Sequence, residues 1–148
     1  MSELNHNEVR AMTLKPIWAF LVMQGYKDCE NRKSAPKVRK GTIAVHVSAS
    51  FSREEYDAVM SGFPPELRKT LPYEKLCELR GKVIGVIDYA VTDRTDSTWW
   101  DKRGKPIMLS NPRWLPEPFP ECRGALQYWK LPNRISSYLN KAFGLSAG

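Results

Sequence analysis

An apolar run from Gly81 to Val91 constrains the fold of this chain more than any other segment. Alternate side chains of a strand point to opposite faces of the sheet, and Val83, Ile84 and Val86 make both faces of this run apolar. A strand that is apolar on both faces must be covered on both sides. The run therefore predicts a central, buried strand.

A second strand is predicted from Gly41 to Ser48, where the alternation is clear. Ile43, Val45 and Val47 share one face, while His46 and Ser48 lie on the other face with Ala44. Shorter strands are expected at 11–15 and 124–131, and 27–32 reads as an extended edge.

Short helical segments separate these strands. Pro16 suits the first turn of a helix that runs to Met23 and stops at Gly25. The residues from Ser52 to Glu55 form a capping box for a helix that reaches about Ser61. A short helix is expected within 71–79, and a last one from an Asn133 cap to Gly144. Distant strands interrupted by short helices predict an α+β fold, a small mixed β-barrel with flanking helices.

The length of 148 residues fits one domain. Residues 1–10 are polar and read as a flexible lead-in without a signal-peptide pattern, and 11–148 as the single domain. The chain has no apolar stretch of membrane-spanning length, so no membrane partner is expected. The three cysteines are far apart and read as reduced thiols of a cytoplasmic protein.

The charge balance favours an anionic partner. Lys and Arg total 23 against 16 Asp and Glu, which gives a net charge of +7, and five Trp and six Tyr can serve as stacking platforms. A basic balance can also serve solubility alone. Three groups of residues could turn the charge into a binding site.

The first group is Lys15 with Trp18, at the start of the first helix. A lysine beside free backbone N–H groups favours an anion there. A solvated lysine and a core tryptophan explain the same residues.

The second group is Lys27, Glu30 and Arg32. In an extended segment, Glu30 and Arg32 point to one side and Lys27 to the other. A carboxylate between two cations stays ionised, so it can accept from a base N–H or act as a general base. A surface ion pair of little energy is the alternative.

The third group is His46 with Ser48 on one strand face. A neutral imidazole can act as a base or as a hydrogen-bond partner near neutral pH, although a lone strand histidine is also a common structural residue. No metal-site spacing and no phosphate-binding glycine loop occur, so neither a metal nor a cofactor is expected. Residues 92–115, with Trp99, Trp100 and Trp114, read as one long loop of a functional kind.

The order of these motifs resembles the ASCH family (activating signal cointegrator homology) of the PUA-like superfamily. The matching segments are Lys15-Pro16-Ile17-Trp18-Ala19, Gly25, Lys27 with Glu30 and Arg32, Gly41 to Ser48, Arg80 to Ile87, the proline-rich 116–120, Gly124 and Trp129. They cover roughly residues 12–132.

The resemblance implies a small barrel with a positively charged cleft for RNA or a modified nucleotide. Lys15, Lys27 and Arg32 would then face phosphate, Glu30 a base edge or ribose hydroxyl, and one of Trp18, Trp99, Trp100 or Trp129 would stack on the base. His46 and Ser48 would lie in the same pocket.

Two alternatives remain open from the sequence. Some ASCH relatives are small hydrolases of acetylated cytidine or proposed ribonucleases, and Lys27 matches the lysine of the amidohydrolase branch. Glu30 stands where that branch has a threonine; as a hydrolase, this chain would use Lys27 and Glu30 as catalytic residues, with His46 as a helper. The other alternative is a protein-interaction adaptor that uses exposed aromatics of the 92–115 segment.

Overall fold

A computed structural model describes residues 9–119, 122–125 and 127–145 of the protein. The strands are β1 (Arg10–Leu14), β2 (Cys29–Arg32), β3 (Lys40–Val47), β4 (Val83–Val91), β5 (Lys105–Phe119) and β6 (Tyr128–Lys130). The helices are α1 (Pro16–Met23), α2 (Arg53–Met60), α3 (Pro65–Thr70), α4 (Tyr73–Cys77) and α5 (Asn133–Phe143).

The strands form one curled, mixed sheet in the order β2-β5-β4-β3-β1-β6. β1 and β3 are parallel, and the other pairings are antiparallel. The sheet curls into a half-barrel that is accompanied by five helices within the described residues, which makes the fold α+β. The predicted β2 edge and the central, buried β4 are both confirmed.

The apolar side chains of the sheet divide between its two faces. β4 does not alternate strictly, since Ile84 and Val86 belong to different clusters, and its register against β5 shifts in this stretch. Val45 of β3 and Ile84 and Ile87 of β4 pack with α1 on one face. Val86 of β4 packs with α5 on the other face, where Ile135 is fully buried. A third apolar cluster joins α1 to the α2–α4 segment.

Several local predictions are confirmed. Ser52 and Glu55 form both hydrogen bonds of the capping box. Gly144, directly after α5, and Gly25, after the Gln24 C-cap of α1, adopt positive φ angles of 65° and 81°, where a residue without a Cβ is least strained.

The expected long loop at 92–115 is wrong in its second half. Residues from Lys105 onward form β5, a strand of 15 residues that pairs with β2 on one side and β4 on the other. The segment contains four prolines, at 106, 112, 116 and 118. Proline has no N–H to donate to the hydrogen bonds between strands, so the sequence does not indicate a strand here. The β4–β5 register shifts twice, which accommodates such residues.

Two further boundaries differ from expectation. Pro132, rather than Asn133, is the N-cap of α5, and Asn133 is its first helical residue. The last strand covers only residues 128–130 of the expected 124–131. α3 was not expected from the sequence.

Residues 1–8 of the expected lead-in lie outside the described residues. Val9 is buried and donates its N–H to Ser136 Oγ, and Arg10 begins β1. Among the described residues, none of the helices has the length and hydropathy to cross a membrane.

Candidate functional site

Lys27, Glu30 and Arg32 form one continuous polar group on the edge strand β2. The Glu30 carboxylate accepts from Lys27 Nζ on Oε1 and from Arg32 Nε on Oε2, both at 3.0 Å. Since β2 begins only at Cys29, Lys27 does not follow the strand alternation. Its ammonium turns back to Glu30 and to the Cys29 carbonyl, so the prediction that it points away from Glu30 is wrong. We call these three residues the Glu30 site.

Two tryptophans enclose the Lys27 ammonium. Its Nζ lies 5.9 Å from the ring centroid of Trp18 and 5.9 Å from that of Trp99, and only 8% of the Lys27 side chain is exposed. The two indole rings meet edge to face at 6.4 Å. Cation–π attraction and the ion pair together hold the ammonium in place.

Arg32 connects the edge strand to the far side of the curled sheet. Its Nη2 donates to the carbonyl of Thr13 in β1 at 3.2 Å, and its guanidinium lies over the ring of Tyr128 in β6 at 5.6 Å. The Tyr128 hydroxyl donates to the Ser34 carbonyl at 3.0 Å. Burial raises the pKa of Tyr128 to about 12 against the lowering effect of Arg32, so this hydroxyl stays a donor.

His46 lies in a buried chain of hydrogen bonds. The Cys122 carbonyl can only accept, so His46 Nε2 carries the proton and donates to it at 2.6 Å. His46 Nδ1 of the neutral ring then accepts from the Thr13 hydroxyl at 3.0 Å, and Thr13 Oγ1 accepts from Trp129 Nε1, also at 3.0 Å. Burial lowers the pKa of His46, although its backbone hydrogen bonds oppose this effect.

These hydrogen bonds give His46 and Trp129 a structural role. His46 is 2% exposed and both ring nitrogens have partners, so it has no lone pair for a substrate. Trp129 is 9% exposed and packs edge to face on His46, with ring centroids 5.2 Å apart, so its face does not present a platform for a base.

Lys15 and Ser48 both bond to Ser50, and neither contacts Lys27, Glu30 or Arg32 through a hydrogen bond or ion pair with a described residue. Lys15 Nζ donates to the Ser50 carbonyl at 2.7 Å and pairs with Glu55 at 3.0 Å. Ser48 Oγ accepts from the Ser50 N–H. Within the described part of the chain, no hydrogen bond or ion pair connects these residues to the Glu30 site.

Asn31 fixes the loop that carries Trp99. Its side chain donates to the Trp99 carbonyl and accepts from the Asp101 N–H, both at 2.8 Å. The Trp99 indole N–H donates to the Tyr26 carbonyl at 3.0 Å, and its ring stacks on Phe63. Trp99 and Trp100 are both half-buried against their own domain, which leaves less exposed aromatic surface than the adaptor hypothesis assumes.

Sequence reasoning missed Thr13, Tyr128 and Asn31. Alternation next to Trp129 could have placed Tyr128 on the opposite strand face. Nothing in the spacing indicates that β1 and β6 meet the end of β2, because that contact depends on how far the sheet curls.

The Glu30 site retains binding capacity after its internal bonds are made. A carboxylate offers about four acceptor positions, and Lys27 and Arg32 take one on each oxygen. Arg32 Nη1 makes no hydrogen bond to any described residue, and 22% of the Arg32 side chain is exposed. The site can therefore accept from an amino or hydroxyl group at Glu30 and donate to an anion or carbonyl at Arg32.

Neither a scan against protein-family models nor a search of curated proteins found a match to this chain. The α+β half-barrel is the class that the structure defines, and the ASCH resemblance stays a prediction.

Proposed function

We propose that this protein binds RNA or a nucleotide at the Glu30 site, in a barrel of the ASCH type. The observation that carries the proposal is the joining of Lys27, Glu30 and Arg32 through 3.0 Å ion pairs, with aromatic rings on both sides. Arg32 Nη1 would donate to a phosphate or a base carbonyl. Glu30 would accept from an exocyclic amino group or a ribose hydroxyl.

The aromatic neighbours support a ligand with a flat ring. Trp99, Trp18 and Tyr128 surround the polar groups, and all three are partly exposed. Stacking of a base on such a ring contributes roughly 1–3 kcal/mol, with little dependence on sequence. Binding in this site combines that term with one charge-assisted contact to Arg32.

The hydrolase alternative needs Lys27 Nζ to reach a substrate atom. In this structure Nζ is held by Glu30 and by the Cys29 carbonyl, and only 8% of the Lys27 side chain is exposed. Both His46 nitrogens are also engaged. The geometry therefore favours a binding module over an enzyme built on these residues.

Arg32→Gln tests the binding proposal. Loss of a charge-assisted contact is expected to weaken binding of nucleoside monophosphates about tenfold or more, together with the affinity for RNA. Isothermal titration calorimetry with each ribonucleoside monophosphate measures the first quantity, and fluorescence anisotropy with a labelled single-stranded RNA measures the second.

Arg53→Gln is the matched control, because Arg53 is 61% exposed on α2 and the charge change is the same. Thermal unfolding establishes that both variants are folded. Equal affinities of wild type and Arg32→Gln would contradict the proposal. It would also be contradicted if the wild type hydrolysed acetylcytidine and Lys27→Ala abolished this activity.

A further inference from the structure

The topology gathers positive charge at the end of the sheet where β2 ends. β5 begins at Lys105 opposite Arg32, and β3 begins at Lys40 opposite Ala90 near the end of β4. Segments 33–40 and 102–105 therefore meet there. Together they contain seven Lys and Arg and no acid, an excess equal to the net charge of the whole chain.

A cavity of about 400 Å³ opens among these segments. We call it the Trp100 cavity. The side chains that define its chemistry are Lys33, Arg39, Lys102, Lys105, Trp100 and one acid, Asp93. Four cations and a half-buried indole around one opening match what an anionic, aromatic ligand requires.

Most of this charge is available to a ligand. Within the described part of the chain, Lys33, Lys102 and Lys105 make no ion pair, and all three are exposed. Asp93 is 99% exposed and only 3.9 Å from Arg39, an arrangement that contributes little neutralisation in water. Asp101 is already paired with Arg103 at 2.7 Å.

The backbone around the cavity is held in place. The carbonyls of Ser34 and Val38 accept from the hydroxyls of Tyr128 and Tyr89 at 3.0 and 2.9 Å. The Trp100 indole N–H donates to the Gly104 carbonyl at 3.1 Å. The cations are thus presented from anchored segments, which lowers the ordering cost of binding.

The Trp100 cavity lies next to the Glu30 site along the chain, and Tyr128 contacts residues of both. Arg32 belongs to the site, Lys33 and Ser34 line the cavity, and Tyr128 contacts both Arg32 and Ser34. A polymer with a regular spacing of negative charge could occupy both at once. A free nucleotide could occupy only one.

We propose that the Trp100 cavity binds backbone phosphates of a single RNA strand of which one nucleotide occupies the Glu30 site. The inference rests on the proposed function and specifies its ligand as an oligonucleotide rather than a free nucleotide. Lys33, Lys102 and Lys105 contact the phosphates, and Trp100 offers its face to a neighbouring base.

A second basic cavity supplies a matched control. It has a volume of about 570 Å³ and contains Arg80, Lys82 and Arg123, but none of the described residues that line it is aromatic. The triple variant Lys33→Gln/Lys102→Gln/Lys105→Gln and the control Arg80→Gln/Lys82→Gln/Arg123→Gln each remove three positive charges. Only the first triple changes the proposed path of the strand.

The experiment compares both triples with wild type by fluorescence anisotropy, using a labelled unstructured RNA of about twelve nucleotides. The Trp100-cavity triple is expected to bind about 10- to 100-fold more weakly and to lower the slope of log affinity against log salt by about two. Its calorimetric affinity for ribonucleoside monophosphates should equal that of the wild type. The control triple should stay within about twofold of the wild type for RNA.

The outcomes separate this inference from the proposed function. If Arg32→Gln weakens nucleotide binding while the Trp100-cavity triple binds RNA like wild type or like its control, the cavity assignment is overturned and the Glu30 site stands. If the triple loses RNA while Arg32→Gln changes nothing, the cavity binds RNA and the Glu30 assignment fails. The cavity assignment is also overturned if the wild type binds nucleotides but no RNA. It is likewise overturned if polyglutamate displaces the labelled RNA as well as unlabelled RNA of equal charge does.

Discussion

At the scale of single residues, Thr13 joins two polar networks that the sequence presents as separate motifs. Its carbonyl accepts from Arg32 of the Glu30 site, and its hydroxyl lies between Trp129 and His46. The backbone of Gly124 packs against the His46 ring so closely that a Cβ there would lie 2.6 Å from Cε1. His46 therefore stabilises β1, whose Thr13 carbonyl accepts from Arg32, rather than acting on a ligand.

The pH dependence of folding tests this role of His46. Since burial lowers its pKa in the folded state, the unfolded chain takes up a proton first as pH falls. The contribution of His46 to stability is complete above about pH 6.5 and is lost as pH falls from there through the lower folded pKa. Chemical denaturation at a series of pH values should show this loss in wild type and a smaller one in His46→Gln. Identical pH dependence in the two proteins would contradict the neutral, buried imidazole.

At the scale of elements, β4 and β5 approach each other most closely at Gly85. A Cβ at this position would lie 2.3 Å from the Arg113 carbonyl oxygen and 2.7 Å from Met23 Cε. Glycine is thus required where β5 crosses β4 beneath α1. Asp88 of β4 accepts from Asn111 and Arg113 of β5 and from Thr42 of the neighbouring β3. Burial opposes its ionisation, yet these hydrogen bonds lower its pKa to about 2.

Gly85→Ala is expected to lower the free energy of unfolding by about 3 kcal/mol or more, because backbone must move to admit the methyl group. Gly62→Ala is the matched control, since the nearest atom to its added Cβ is 3.6 Å away and its φ angle is not positive. The control should change stability by no more than about 0.5 kcal/mol. Urea denaturation measures both, and equal stabilities would refute the close β4–β5 contact.

Elements with a complete local pattern could be predicted, and those without one could not. β3, β4 and the capped α2 carry their periodicity or hydrogen-bonding residues within a few positions. β5 is rich in proline and polar residues, and it is a strand because β2 and β4 pair with it from both sides. That stabilisation comes from residues distant along the chain, so no window of the sequence contains it.

At the scale of the whole molecule, side chains of the two edge strands of the curled sheet contact each other. Arg32 of β2 and Tyr128 of β6 meet although four strands lie between β2 and β6 in the sheet order. Lys27, Glu30 and Arg32 form one group of ion pairs because they are neighbours in sequence. Lys15, Ser48, His46 and Trp129 were grouped with them by order along the chain, and the curl of the sheet gives them other partners.

The position of a bound nucleotide is the most direct test of the central claim, that the Glu30 site is the binding site. In NMR spectra of a ¹⁵N-labelled sample, each tryptophan indole N–H gives its own signal. Titration with ribonucleoside monophosphates therefore shows which tryptophans lie near the bound nucleotide. The indoles of Trp18 and Trp99, which flank Lys27, should shift, whereas that of Trp129, bonded to Thr13, should stay in place. Saturable shifts confined to Trp129 or Trp114, or none at all, would contradict the account.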